Sequence, residues 1–340
     1  MVYIRNLFNE NWPCFETPRL IEIYKLPKGP RITLPQNIEL NEELAWLIGF
    51  YLAEGNKNCY YGIGISNCNI ELLIYFQEIM KKYFLINKNE WSVYIKTSNK
   101  NLDLVKERWE REIEINSVNV NFNELAREDL IELRLNNTLL SILFNRFIQS
   151  SMEAILNKKE LTLEFLNGYE VGDGSIIQRR GYLYGIAITT GDETHKNILV
   201  NAFQSLYQKK PHVRINKGKY YEVSLTGINL MTEIILDGHF KLHKEKRSKL
   251  IRTYLCKIYT RSHKRYWEIL KNRELSVEEL TQESKRSHWA VRDAMNRDFK
   301  LDLINIRKGR IPNKHGPYHV FYSLTEKCNN LLNILDGDKM

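Results

Sequence analysis

Two short segments of this chain repeat one pattern of apolar, small and acidic positions. Residues 44–55 read Leu-Ala-Trp-Leu-Ile-Gly-Phe-Tyr-Leu-Ala-Glu-Gly, and residues 163–174 read Leu-Glu-Phe-Leu-Asn-Gly-Tyr-Glu-Val-Gly-Asp-Gly. Aligned on the closing acid–Gly pair, each has Gly six residues before the last Gly and a small residue two before it. The offset is 119 residues, a small-domain length. The spacing predicts a helix in each copy. Gly49 and Ala53, like Gly168 and Gly172, are four apart and share a helix face. Small residues there let a second backbone come close, and Gly inside a helix costs about 1 kcal/mol against Ala. The two helices are therefore expected to pack on each other across a pseudo-two-fold axis.

Alternation of apolar and polar residues predicts strands after each helix. Residues 175–190 form two strand-like runs about a turn at Arg180-Gly181, and a helix follows from about Thr194 to Gln208. Val213–Asn216 and Tyr220–Leu225 then flank Lys217-Gly218 as a second hairpin. The first copy is less clear, with Cys59–Ser66 and Trp91–Thr97 as its two hairpins. Near the C-terminus, a helical run covers His263–Asn272, and Ser276 and Glu279 form a capping box. A third helix is expected over Ser287–Asn296. Strands at Leu303–Arg307 and His319–Leu324 flank a loop of basic, Gly and Pro residues. Five of the eight prolines fall in residues 1–40, which predicts an extended arm.

Each repeated helix ends in a carboxylate followed by Gly: Glu54-Gly55 and Asp173-Gly174. Gly is a common residue at a helix end. The acid is disfavoured there, because a helix C-terminus carries partial negative charge. Two packed helices bring two such acids together, and like charges at short range call for a cation. Carboxylates with water suit Mg²⁺. A solvated helix end explains one acid; two copies with the same neighbours favour a metal site able to activate water at a phosphodiester.

Charge and cysteine content narrow the class. The chain carries 50 Lys+Arg against 41 Asp+Glu, a net +9. Between Lys241 and Arg265 stand ten basic residues and one acid, Glu245. Such a segment points to a polyanion partner, although a solvated helix face alone also accounts for a charge run. Five widely spaced cysteines and no C-x-x-C argue against a disulfide framework or a zinc site, and fit a reducing, intracellular setting. No apolar stretch reaches membrane-spanning length and the start has no signal-peptide core, so a soluble protein with no membrane partner is expected.

At Leu47–Gly55 and Leu166–Gly174 the sequence resembles the LAGLIDADG homing endonucleases, over about residues 40 to 245. The resemblance implies an α+β fold. It has two pseudo-symmetric αββαββα modules in one chain, the signature helices at their interface and the sheets on double-stranded DNA. It assigns Glu54 and Asp173 as catalytic metal ligands for Mg²⁺, with Mn²⁺ able to substitute, beside Gly55 and Gly174. A two-stranded ribbon fits the major groove, which makes Lys57, Asn58, Gln178, Arg179, Arg180, Arg214, Lys217 and Lys219 candidate DNA contacts. Hairpin tips are also commonly just solvated. The sequence departs from the family where active members often carry a basic residue after the second strand. Those slots hold Cys68 and either Gly191 or Asp192, so Lys96 or Lys219 is the candidate basic helper. Leu52 and Val171 replace an Asp common in the signature.

The C-terminal helices and basic hairpin resemble a winged helix-turn-helix. Lys285, Arg286, His288, Trp289, Arg292 and Arg297 are its candidate contacts; protein docking is the competing role. The expected domains are an arm (1–40), two LAGLIDADG modules (41–150 and 151–258) and a winged-helix-like domain (262–340). The expected function is a monomeric, site-specific DNA endonuclease. A non-cleaving DNA-binding regulator and an intron-RNA maturase are the alternatives.

Overall fold

The computed structural model describes residues 1–8, 12–24, 31–56, 61–113, 118–216, 218–256, 258–309 and 319–337. The fold is mixed α+β. The chain divides into two compact units, Met1–Gly174 with Ile188–Val223, and Ser175–Ala187 with Ser224–Met340.

The proline-rich N-terminal segment is built of short strands. These are β1 (Val2–Tyr3), β2 (Cys14–Glu16), β3 (Leu20–Tyr24), β4 (Arg31–Pro35) and β5 (Asn37–Ile38). The order β2-β3-β4 is an antiparallel meander, and β1 pairs with β5. Ile21, Ile23, Ile32 and Leu34 are buried in alternation, as a half-buried sheet requires.

The first repeat comprises α1 (Glu42–Glu54), β6 (Ile63–Asn67), α2 (Ile70–Phe84), β7 (Ser92–Thr97), α3 (Leu102–Ile113), β8 (Val118–Phe122), β9 (Leu130–Leu135) and α4 (Thr138–Leu156). Its sheet order is β6-β9-β7-β8. Here the structure corrects the expected hairpin at Trp91–Thr97, which is a single strand. The chain leaves β7 through α3 and returns as β8, parallel to β7, before β9 inserts between β6 and β7. A parallel neighbour needs such a crossover. The α3 sequence supplies it, with Val105, Trp109 and Ile113 buried one turn apart and the Trp109 indole donating to Asp129 at 2.9 Å.

The second repeat follows the plain αββαββα order: α5 (Lys159–Asp173), β10 (Gly174–Arg179), β11 (Tyr182–Thr190), α6 (Glu193–Tyr207), β12 (His212–Asn216), β13 (Tyr220–Thr226) and α7 (Ile228–Leu236). The strand order is β10-β11-β13-β12. At the β10–β11 turn, Arg180 and Gly181 have φ of 54° and 78°. Two successive positive φ values give the hairpin turn whose twist matches its strands.

The remainder contains α8 (Lys244–Leu255), α9 (Ile258–Leu270), β14 (Leu275–Ser276), α10 (Val277–Ser284), α11 (His288–Lys300), β15 (Ile304–Gly309), β16 (His319–Leu324) and α12 (Glu326–Gly337). The small sheet is antiparallel in the order β14-β16-β15. Ser276 and Glu279 form the expected capping box at the start of α10. The core of this region includes a polar centre. Asp298 is fully buried and takes hydrogen bonds from Trp267 Nε1 at 2.8 Å and His263 Nδ1 at 2.7 Å.

Candidate functional site

The site grows from the packing of α1 on α5. Asn41 caps α1 by accepting from the Leu44 N–H, and Glu42 and Glu43 occupy its first turn, where acids suit the helix dipole. Every residue from Leu44 to Phe50 is buried. At Gly49 an added Cβ would lie 2.0 Å from the Phe165 carbonyl oxygen; at Gly168 it would lie 2.1 Å from that of Trp46. Each glycine thus meets the other helix's backbone, and the two contacts mirror each other. One turn further on, a Cβ at Gly172 would lie 3.0 Å from the Ala53 Cβ and 2.6 Å from Glu54 Oε1. The four small positions lie along the contact line, and the residue before Asp173 rests on the Glu54 carboxylate.

Both helices end at the acid itself. Gly55 and Gly174 follow, yet neither takes the left-handed conformation of a glycine cap. Their φ/ψ values are −64°/134° and −79°/146°, which are ordinary extended backbone. Glycine is required for another reason. A Cβ at Gly55 would lie 2.3 Å from the Tyr51 carbonyl oxygen, and one at Gly174 would lie 2.4 Å from that of Glu170. The chain turns from helix to sheet so tightly that no side chain fits.

Asn67, at the end of β6, fixes the Glu54 carboxylate. Its Oδ1 accepts the Asn69 N–H at 2.8 Å, which leaves Nδ2 to donate to Glu54 Oε1 at 3.0 Å. Next to it, burial pushes the Cys68 thiol up, and Glu128, Glu54 and Asp129 push it the same way. The field at this corner is that of several carboxylates. In the second copy, Tyr169 stands one turn before Asp173, its hydroxyl 3.1 Å from His195 Nδ1. Burial raises its pKa, a hydrogen bond with Thr190 opposes this, and Asp173 and Asp192 add to the rise. Asp192 itself caps α6, accepting from the N–H groups of Thr194 and His195.

The two candidate helper lysines stand in different settings. Lys96 on β7 lies 3.9 Å from Glu132 Oε2. Lys219 is exposed at the β12–β13 turn. Glu132 was not foreseen. It is 2% exposed and takes a two-pronged contact from Arg134, at 2.8 and 3.0 Å, plus the Asn56 amide at 2.9 Å. Burial pushes its pKa up, but the hydrogen bonds from Arg134 and Asn56 and the charges of Arg134 and Lys96 outweigh this and hold it below its ordinary value. The Arg134 guanidinium stands 4.5 Å from the Tyr94 ring centroid. Glu132, Arg134, Tyr94 and Lys96 belong to one polar sheet face, opposite the buried Ile131, Leu133 and Leu135. The alternation in Leu130–Leu135 was the signal for it.

Among the other candidates, Gln178, Arg179 and Arg180 are exposed at the β10–β11 turn, with Arg179 5.6 Å from the Tyr184 ring. Arg214 is exposed on β12, an edge strand. Lys57, Asn58 and Lys217 lie outside the described residues. On and before α11, Lys285, Arg286, His288, Arg292 and Arg297 are exposed, and Trp289 is 76% exposed.

No family model matches the chain, and no curated protein matches it. It is similar to several solved structures. Full-length DUF199/WhiA from Thermatoga maritima is 14% identical, with a TM-score of 0.38, over 78% of this chain and 93% of that one. I-DmoI in complex with DNA and Mn is 11% identical, with a TM-score of 0.30, over 64% and 97%. The I-LtrWI LAGLIDADG homing endonuclease bound to target DNA is 14% identical, with a TM-score of 0.30, over 64% and 99%.

Proposed function

We propose that the chain is a site-specific double-strand DNA endonuclease of the homing type that hydrolyses phosphodiesters with a divalent cation, Mg²⁺ or Mn²⁺. One observation carries this reading: α1 and α5 approach through Gly49 and Gly168, and Gly172 rests on Glu54, so two helices that each end in an acid bring those ends together. Carboxylates gathered at helix C-termini repel each other and the helix dipoles, an arrangement stabilised by a bound cation. Among the described residues no three His, Cys, Asp or Glu side chains form a metal cage. The donor set of this reading is Glu54, Asp173 and the backbone oxygens of Gly55 and Gly174, hard ligands that fit Mg²⁺. A cation held there would supply Lewis acidity and lower the pKa of an attacking water. Asn67 orients Glu54. Gln178, Arg179, Arg180, Arg214 and Lys219, with Lys57, Asn58 and Lys217, contact the duplex; the polar face of Arg134, Tyr94 and Lys96 joins them.

The rest of the assignment follows the same reading. The two modules occupy 41–150 and 151–258 behind an arm of 1–40, and one chain supplies both halves of the site as a monomer inside the cell. Residues 262–340 act as a winged helix. The order helix, short strand, two helices, two strands, with β14-β16-β15 pairing, supports that reading, and α11 then offers Lys285, Arg286 and Arg292 to the groove. Among the described residues no helix is long and apolar enough to cross a membrane.

A second reading, a DNA-binding regulator that does not cut, has its own support. The two slots hold Cys68 and Gly191 or Asp192, none of them basic, Asp192 is engaged as a helix cap, and the helper candidate Lys96 lies beside Glu132. One experiment separates the two. A random-site duplex library is incubated with Mg²⁺ or Mn²⁺ and wild type, Glu54→Gln or Asp173→Asn. Site-specific cuts that fall at least ~10²-fold in both variants support the endonuclease. Selective binding without cuts leaves the regulator. Retention of intron RNA in preference to duplex would replace both.

A further inference from the structure

The basic stretch from Lys241 to Arg265 is not one charged face. Arg247 is buried, and its guanidinium donates to the carbonyl oxygens of Ile235 and His239, both at 3.0 Å, which ties down the end of α7. Lys264 is buried too, and it pairs with Asp336 at 2.7 Å. These two cations serve the interior. The exposed cations on α8 are differently placed. Glu245, Ser248, Lys249 and Arg252 follow one helix stripe at i, i+3, i+4 and i+7. With Lys244, Thr253 and Gln178 of β10 they line an open groove of about 630 Å³.

The chemistry of that groove is one-sided. Lys249 and Arg252 stand three residues apart on a helix, a spacing at which like charges repel. Among the described residues neither has a carboxylate partner; the one side-chain hydrogen bond of Arg252 is to Ser248 Oγ at 3.5 Å. The single acid in the lining, Glu245, lies in the first turn of α8, where the helix dipole favours it. Two uncompensated cations, the Ser248 hydroxyl and a side-chain amide are donors that hold phosphate oxygens, while the Thr253 hydroxyl is spent on the Lys249 and Leu250 carbonyl oxygens. The groove also adjoins a reading element, since Gln178 precedes Arg179 and Arg180 at the hairpin tip.

We infer that the groove between α8 and β10 is a sequence-independent phosphate clamp, in which Lys249 and Arg252 bind the backbone of the duplex that the β10–β11 hairpin reads. The inference rests on the duplex-DNA reading and does not depend on cleavage. Each phosphate contact lowers the slope of log affinity against log salt by about 0.9.

The test is titration of the full chain by fluorescence anisotropy, between 50 and 300 mM salt, on its recovered site and on an unrelated duplex of equal length. Lys249→Gln/Arg252→Gln is expected to reduce the salt slope by about 2 and weaken both duplexes alike, by at least ~10-fold at 0.1 M salt. Lys249→Arg/Arg252→Lys should restore the wild-type slope. Matching thermal melting of the three proteins would show that folding is intact. An unchanged slope in a folded Gln variant, or a loss confined to the recovered site, overturns the clamp while leaving DNA binding standing. A wild type with no salt-dependent affinity for duplex overturns both.

Discussion

The two repeats end their signature helices in the same way and then diverge. In the second, each strand pair closes through a two- or three-residue turn, and β12 is an exposed edge. In the first, a helix and a parallel strand enter between β7 and β9, and a buried Glu132 locks Arg134 and Asn56 to the sheet. The helix interface tolerates almost no change because backbone touches backbone there. The sheets tolerate an entire inserted crossover, because a strand pair needs only its edge partners. Geometry is shared by the two copies at the joint and differs between them at the sheets.

The comparison breaks most readily at the joint. Gly49→Ala and Gly168→Ala each place a methyl about 2 Å from a carbonyl oxygen of the other helix. Each should cost about 3 kcal/mol, from overpacking that only separation of the helices relieves. Near-equal losses in chemical denaturation are expected, and a clear inequality would refute the mirrored packing. The next effect belongs to the first repeat alone. Glu132→Gln removes the acid that faces Arg134 and Lys96 and should cost about 2 kcal/mol at neutral pH. Because the folded-state pKa of Glu132 is lowered, its stabilising share is complete above the ordinary carboxylate range and is lost as pH falls through the folded value. The stability gap between wild type and Glu132→Gln should therefore close on acidification; a gap that widens would show that burial dominates. The smallest effect belongs to the second repeat. Gly181 has φ +78° and open space around it, so Gly181→Ala should cost only about 1 kcal/mol, all of it backbone strain.

The elements read correctly from sequence are those whose causes are local. The acid–Gly endings mark both signature helices, Arg180-Gly181 marks the hairpin, and Ser276 with Glu279 marks α10. What escaped depends on distant partners. Trp91–Thr97 has the alternation of a strand but carries no sign that its neighbours are residues 118–122 and 130–135. Glu132 looks like a surface residue until Arg134, Asn56 and Lys96 surround it. Gly55 and Gly174 look like left-handed caps, yet steric crowding from the previous turn is their reason. Arg247 counts as surface charge in a composition window and is an interior hydrogen-bond donor in the fold.

The returning strand of the first repeat also bears on how the molecule assembles. Ile65 pairs with Leu133, whereas β10 needs only Arg180 and Gly181 to reach β11. Loop-closure entropy must be met before a long-range pair is formed, so sheets of high contact order form late. The first sheet cannot close until β9 is made, while the hairpin of the second can zip as soon as it emerges. On a ribosome the gap between β6 and β7 stays unfilled until β9 arrives, and that gap is the species that a chaperone would meet.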